Sequence, residues 1–228
     1  MVVMGSMIFH SAVLSQTAEE GYTTKKLGDW TVYVNDELWD RYYPATSQVL
    51  DLLKVKLYDI SREVPDTSLK ELTKIPIWIE LNDTNDEHDP CMCYHPSEQW
   101  LRDHNMNPHK AKCVEITHAL TFMEWEHTQP SMVLHELAHG YKDRVLGRYD
   151  LELRKLYANA VKSGKYFNVL RNNGQHETAY AIKNVEEYFA ESTESFFGTN
   201  DFYPFVAAEL KEIDPDMFDF LRKVWFWK

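Results

Sequence analysis

Residues 130–146 of this chain read PSMVLHELAHGYKDRVL, and this stretch predicts a helix that begins at its first residue. Proline is favoured in the first turn of a helix, where its missing N–H costs no hydrogen bond. His135 and His139 are four residues apart, so both imidazoles lie on one face of the helix. Glu136 stands between them, and apolar residues occupy most of the other positions. The HExxH pattern therefore predicts a metal site on one helical turn.

The chemistry of such a site needs one more group beside the two histidines. Zinc lowers the pKa of a bound water, and a neighbouring carboxylate, here Glu136, can then take the proton. The alternative is a helix with one core histidine and one surface histidine, in which the motif arises by chance.

Zinc that activates water needs a third protein ligand, and residues 184–191 (NVEEYFAE) offer carboxylates at helical spacing. We expect Glu187 to be this ligand, with Glu186 or Glu191 as the alternatives. One turn beyond Glu187, Glu191 can accept the other ring N–H of a ligating histidine, which would fix the ring's orientation. The alternative is a solvated acidic face, since the segment from residue 176 to 219 is strongly acidic.

Tyr180 precedes Glu187 by seven residues. A phenol near the metal can donate a hydrogen bond to a developing oxyanion. Together, HELAH at residues 135–139, Tyr180, and EYFAE at residues 187–191 resemble the gluzincin metallopeptidases, most closely the catalytic domain of anthrax lethal factor. The resemblance covers residues 131–198 and implies neither the toxin's substrate nor its delivery route.

The resemblance also implies roles for individual residues. Zincins bind substrate in extended form along the edge strand before the active-site helix, which makes Cys113–Ala119 the candidate edge. The loop at residues 91–96 is rich in groups that bind ligands or hydrogen-bond, so it is a candidate cleft wall, and a structured surface loop is the alternative. The implied zinc ligands are His135, His139 and Glu187, the general base is Glu136, the electrophile is Tyr180, and the carboxylate behind a ligating histidine is Glu191.

Predicted strands concentrate in the N-terminal half and predicted helices in the C-terminal half, which indicates an α+β fold rather than alternating βαβ units. We expect a zincin-like fold with a small twisted sheet, in one domain over residues 25–228, after a flexible or processed segment at residues 1–24. The expected strands cover residues 28–35, 75–81 and 113–117, and the expected helices cover residues 37–63, 96–103, 130–146, 150–162 and 184–198.

Composition excludes several classes of protein. A hydrophobic content of 44% with 14% aromatic residues supplies a core and excludes disorder for most of the chain. The net charge of −12 argues against nucleic acid as a partner. The apolar run at residues 7–14 is too short to span a bilayer. It lacks the positive start of a secretion signal, so the compartment stays open, secretion included.

These patterns lead us to expect a zinc peptidase with one Zn²⁺ per chain, which hydrolyses a peptide or protein substrate by a metal-activated water. The alternative from another class is a catalytically silent zincin-like domain that binds a peptide or protein partner. Manganese or cobalt suits the same ligand types. The sequence decides neither the cleaved bond nor the oligomeric state.

Overall fold

The computed structural model describes residues 19–81, 92–147 and 150–226. A five-stranded sheet lies in the N-terminal half of the protein. The sheet order is β1-β2-β3-β5-β4. β1 and β2 form an antiparallel hairpin whose two-residue turn contains Gly28 at a φ of 58°, a conformation that glycine adopts without strain. The strands are β1 (Tyr22–Leu27), β2 (Trp30–Asn35), β3 (Ile77–Ile79), β4 (Met92–Tyr94) and β5 (Val114–Ile116).

The edge strand next to the candidate site is β4, not β5. β5 pairs with β3 on one side and with β4 on the other, so the expectation that Cys113–Ala119 forms the edge is wrong. The pattern at residues 91–96 predicts a loop, yet Met92–Tyr94 pairs antiparallel with β5. A three-residue strand is too short to show alternation, and its hydrogen bonds come from a strand about 20 residues further along the chain.

Helices make up most of the remaining structure, which confirms the α+β class with a small mixed sheet. The predicted helices at residues 37–63, 96–103, 150–162 and 184–198 are confirmed within a few residues at each end, and the one at 130–146 divides into α5 and a π-helical turn. Their bounds are α1 (Asp36–Glu63), α2 (Asp66–Leu72), α3 (Glu98–Asp103), α4 (Ala119–Thr128), α5 (Met132–Tyr141, continued by the π-helical turn Lys142–Leu146), α6 (Leu151–Ser163), α7 (Val185–Phe197), α8 (Ala207–Ile213) and α9 (Pro215–Trp225). Short 3₁₀ turns cover Pro108–Lys110 and Tyr180–Ile182, and a small hairpin joins β6 (Val169–Leu170) to β7 (His176–Glu177).

The packing of α5 against the sheet depends on Gly140. A Cβ atom at this position would lie 2.5 Å from Ile75 Cδ1 and 3.1 Å from Tyr94 Cε2. A carbon at 2.5 Å is too close, so Ile75 Cδ1, the end of a flexible side chain, would have to shift, and the Tyr94 ring would have to give slightly. The close approach brings the HELAH turn next to β4.

The C-terminal helices hold α7 against the other side of α5. Tyr188 on α7 donates a hydrogen bond to Asp214 Oδ2 at 2.7 Å, and Tyr166 donates to the same oxygen at 3.0 Å. Tyr141 on α5 stacks on Trp225 of α9 with ring centroids 3.9 Å apart. These buried contacts fix α5 and α7 relative to each other.

The expected domain boundary needs one adjustment at its N-terminal end. β1 begins at Tyr22, inside the segment 1–24 that we expected to lie outside the domain. Residues 1–18 and the predicted loop at residues 82–89 lie outside the described residues. Among the described residues, no helix is long and apolar enough to cross a membrane.

Candidate metal centre

The two histidines of the HExxH motif meet at the bottom of a cleft between α5 and α7. Their Nε2 atoms are 3.1 Å apart, and the two rings are nearly perpendicular, with centroids separated by 4.8 Å. His135 is buried and His139 is partly exposed to the cleft. The helical spacing thus brings the two imidazole Nε2 atoms close together.

Glu187 completes a triangle of donor atoms with these histidines. Asn184 caps α7 by accepting the Glu187 N–H at 2.8 Å, which fixes the first turn of the helix. Glu187 Oε2 lies 3.1 Å from His135 Nε2 and 3.2 Å from His139 Nε2. Ligands at zinc distances and tetrahedral angles lie about 3.3 Å apart. The three side chains therefore have the spacing that one such ion requires.

The ionisation of the three groups is shifted by their contacts. Burial acts to raise the pKa of Glu187, but hydrogen bonds and charges from His135 and His139 outweigh it and lower this pKa. Burial acts to lower the pKa of His135, but the hydrogen bonds that its ring donates to Glu187 and Glu194 raise this pKa well above its usual value. The contacts therefore favour the ionised form of Glu187 beside the two imidazoles.

The alternative ligands lie elsewhere. Glu186 is 3.1 Å from Lys142 Nζ, on the neighbouring cleft wall. Glu191 lies behind His135, with its Oε1 3.7 Å from His135 Nδ1. Of the three candidates named from the sequence, only Glu187 is within contact distance of both imidazole Nε2 atoms.

Glu194 is the carboxylate closest to Nδ1 of His135, the ring nitrogen that points away from the cluster, and the sequence did not lead us to predict it. Its Oε1 lies 2.6 Å from His135 Nδ1, closer than Glu191. Glu194 follows Glu187 by seven residues, two helical turns, so it shares a face of α7 with Glu187 and Glu191. That spacing is the signal that would have found it.

Glu191 has an unusual environment for a carboxyl group. It is buried, and its Oε2 has no hydrogen-bond partner among the described residues. Burial and the charges of Glu194 and Asp201 raise the pKa of Glu191 well above its usual value, which favours the protonated acid. Glu191 thus supports the rear of the cluster as a neutral group.

Glu136 faces the same cleft and is held by the edge strand. The backbone N–H of Tyr94 on β4 donates to Glu136 Oε2 at 2.8 Å. Burial and the charge of Glu187 raise the pKa of Glu136, while the two imidazoles act to lower it. The pKa of this carboxylate is raised overall, as suits a group that takes and returns a proton.

Tyr180 lies in the 3₁₀ turn that leads into α7 and lines the cleft. Its side chain is 40% exposed, and its hydroxyl accepts a hydrogen bond from Lys183 Nζ. The same ammonium lies 4.3 Å from the centroid of the Tyr180 ring. The structure thus brings Tyr180 to the cleft wall, where its hydroxyl is engaged by Lys183.

The cleft has a volume of about 910 Å³ and joins all of these groups. Apolar side chains line one part of it and charged side chains line another. The apolar lining includes Met92, Trp125 and Met132, and the charged lining includes Lys142, Asp143, Lys183 and Glu186.

The fold and the cleft define an α+β protein in which two packed helices bring histidines and a glutamate to one point. Comparison with protein families identifies the family to which the chain belongs. Residues 53–224, well over half of the chain, match the family described as anthrax toxin lethal factor, N- and C-terminal domain, and the chain belongs to this family. The match extends the resemblance carried by the motifs at residues 131–198 as far back as α1. No curated protein and no solved structure matches the chain.

Proposed function

We propose that this protein is a zinc-dependent peptidase of the gluzincin type with a zincin-like fold. The observation that carries the proposal is the triangle formed by His135 Nε2, His139 Nε2 and Glu187 Oε2, with edges of 3.1 to 3.2 Å. Membership of the lethal factor family supports it. Zinc held by these three residues, one ion per chain, would act as a Lewis acid toward water and a peptide carbonyl.

Glu136 is the general base of the proposed reaction. Its Oε2 is occupied by the Tyr94 N–H at 2.8 Å, so Oε1 is the oxygen that takes the proton from the attacking water. The water oxygen bonds to the carbonyl carbon, the C–N bond breaks, and Glu136 passes its proton to the leaving nitrogen. The products are a carboxylate and an amine, and Glu136 returns to its starting state.

The edge strand β4 is the proposed strand with which an extended peptide pairs. On its outer side β4 has no partner strand among the described residues, and Met92, Cys93 and Tyr94 line the cleft. A peptide can therefore add to the sheet by backbone hydrogen bonds. Because Tyr94 also holds Glu136, a peptide paired with β4 lies next to the general base.

Tyr180 is the proposed donor to the oxyanion. Its phenol reaches the cleft from the 3₁₀ turn before α7, and its contact with Lys183 is solvent-exposed. Exchange of that contact for the substrate oxygen places an O–H donor where negative charge develops.

Metal content and hydrolysis together test the proposal. Purified wild type should contain about one zinc per chain, as expected for a three-ligand site. Glu187→Gln should contain much less, whereas the matched control Glu186→Gln, one residue earlier on α7, should retain it. Glu136→Gln should retain zinc and lose cleavage of a peptide library. Wild type that holds zinc but cleaves no peptide would instead support the silent, partner-binding alternative, and wild type without zinc would overturn both.

A further inference from the structure

A second group of metal-ligating side chains lies on β4 and β5. Cys93 and His95 are two residues apart, so both project from the same face of the sheet. Glu115 on β5 is the direct cross-strand partner of Cys93 and shares this face. Tyr94 projects to the opposite face, toward Gly140 of α5. The group is therefore separated from the HELAH helix by the thickness of the sheet.

The three side chains converge. His95 Nε2 lies 3.4 Å from Cys93 Sγ and is hydrogen-bonded to Glu115 Oε2. The three donor atoms all lie within 4.8 Å of one another. His95 and Glu115 are buried, whereas Cys93 is half-buried and lines the cleft. A thiolate, an imidazole and a carboxylate are the donors from which protein zinc sites are built.

The charges around the group favour a cation. Lys110 Nζ lies 2.5 Å from Glu115 Oε1 and 2.9 Å from Glu80 Oε1, so one buried ammonium faces two buried carboxylates. A divalent ion bound with a Cys93 thiolate adds one net positive charge beside these two carboxylates.

We propose that Cys93, His95 and Glu115 form a second metal site, which takes a divalent transition ion that accepts sulfur and nitrogen ligands, such as zinc or cobalt(II). The site shares no residue with the cluster on α5 and α7 and does not rest on peptidase activity. Lys110 stays on Glu115 Oε1 and orients the ligating carboxylate, as outer partners of metal ligands do.

Binding exchanges protons for the ion. The Cys93 thiol loses its proton, and the hydrogen bond between His95 Nε2 and Glu115 Oε2 breaks while the neutral ring keeps its one proton on Nδ1. The ion then bonds to Cys93 Sγ, His95 Nε2 and Glu115 Oε2. Because binding releases protons, the affinity rises with pH.

Cobalt(II) distinguishes this site from the first by its ligand chemistry. The cluster of His135, His139 and Glu187 contains no sulfur, so cobalt there gives no thiolate-to-metal charge-transfer absorption. We expect that near-ultraviolet band to appear when cobalt is added to the full chain. It should also appear in the His135→Ala/His139→Ala variant, which separates this proposal from the proposed function.

Variants assign the band to its ligands. Cys93→Ser should abolish it, whereas Cys113→Ser and Cys91→Ser should keep it. His95→Gln should weaken or abolish it, and it serves as the test if Cys93→Ser does not fold by circular dichroism. Absence of the band at excess cobalt in folded wild type would overturn the proposal, as would its persistence in folded Cys93→Ser.

Discussion

Glu194 Oε1 lies 2.6 Å from His135 Nδ1, so α7 contacts the same imidazole from both sides, with Glu187 at Nε2 and Glu194 at Nδ1. When the ring is neutral, a carboxylate at Nδ1 favours the tautomer in which Nε2 carries a lone pair toward the cleft. Since His135 is buried, the ring has little freedom to turn. The orientation of the first histidine is therefore set by α7 as well as by α5.

Replacement of Glu194 by Gln is expected to weaken zinc binding by about tenfold, because the negative charge behind His135 is lost while an oxygen acceptor remains. Competition with a chromophoric chelator measures the affinity. Glu191→Gln is the matched control, since Glu191 is farther from the ring and already favours its neutral form. A larger loss in the control than in Glu194→Gln would contradict the geometry.

Replacement of Tyr180 by Phe is expected to lower kcat by about 100-fold, the effect of losing one donor to an oxyanion. Zinc content and KM should change little, because Tyr180 lies outside the donor triangle. Tyr58→Phe, on an exposed part of α1, controls for the loss of a phenol. Peptide hydrolysis followed at several substrate concentrations separates the two constants, and an unchanged kcat would remove Tyr180 from the mechanism.

Replacement of Gly140 by Ala is expected to destabilise the protein by about 1–3 kcal/mol, because the added methyl overlaps Ile75 Cδ1. Urea unfolding measures the free energy. Ile75→Val removes the overlapping carbon and by itself should cost about 1 kcal/mol. The double variant should lose less unfolding free energy than the two single variants lose together. If the two losses simply add, the contact with Ile75 does not cause the destabilisation by Gly140→Ala.

Stability is expected to fall as pH rises above about 10, where tyrosines ionise in the unfolded chain. Burial and the charge of Asp214 raise the pKa of Tyr166 above its ordinary value of 10.0, so the folded state keeps a proton that the unfolded state loses. The stabilisation is complete below the unfolded pKa and is lost above it. Tyr166→Phe should therefore show a shallower alkaline decline in urea unfolding, whereas exposed Tyr43→Phe should follow wild type.

The local patterns predicted α5 and α7 because their signals lie within one element. HELAH places two imidazoles by helical geometry alone, and Asn184 caps α7 as expected. The spacing also favoured Glu187 among three nearby carboxylates, and its Oε2 lies near both imidazole Nε2 atoms. The docking angle of α7 against α5 decides which carboxylate contacts His135 Nδ1. No local pattern encodes this angle, so Glu194 was missed.

The elements that were not predicted depend on partners distant in sequence. β4 is a strand because β5 supplies its hydrogen bonds, and β1 is a strand because β2 does. α4 was not predicted, since only Ala119 and Phe122 of its residues are buried, too few to mark a helical face. The cross-strand group of Cys93, His95 and Glu115 requires a register that no single segment encodes.

The order of the donors along the chain has a consequence for biosynthesis. His135 and His139 leave the ribosome before Glu187, and the small β6–β7 hairpin and α6 separate them. With the proposed zinc site, a growing chain would first present only the two histidines to an ion. Tight capture would wait until α7 has emerged and docked against α5. Acquisition of the ion would therefore mark the completion of the fold.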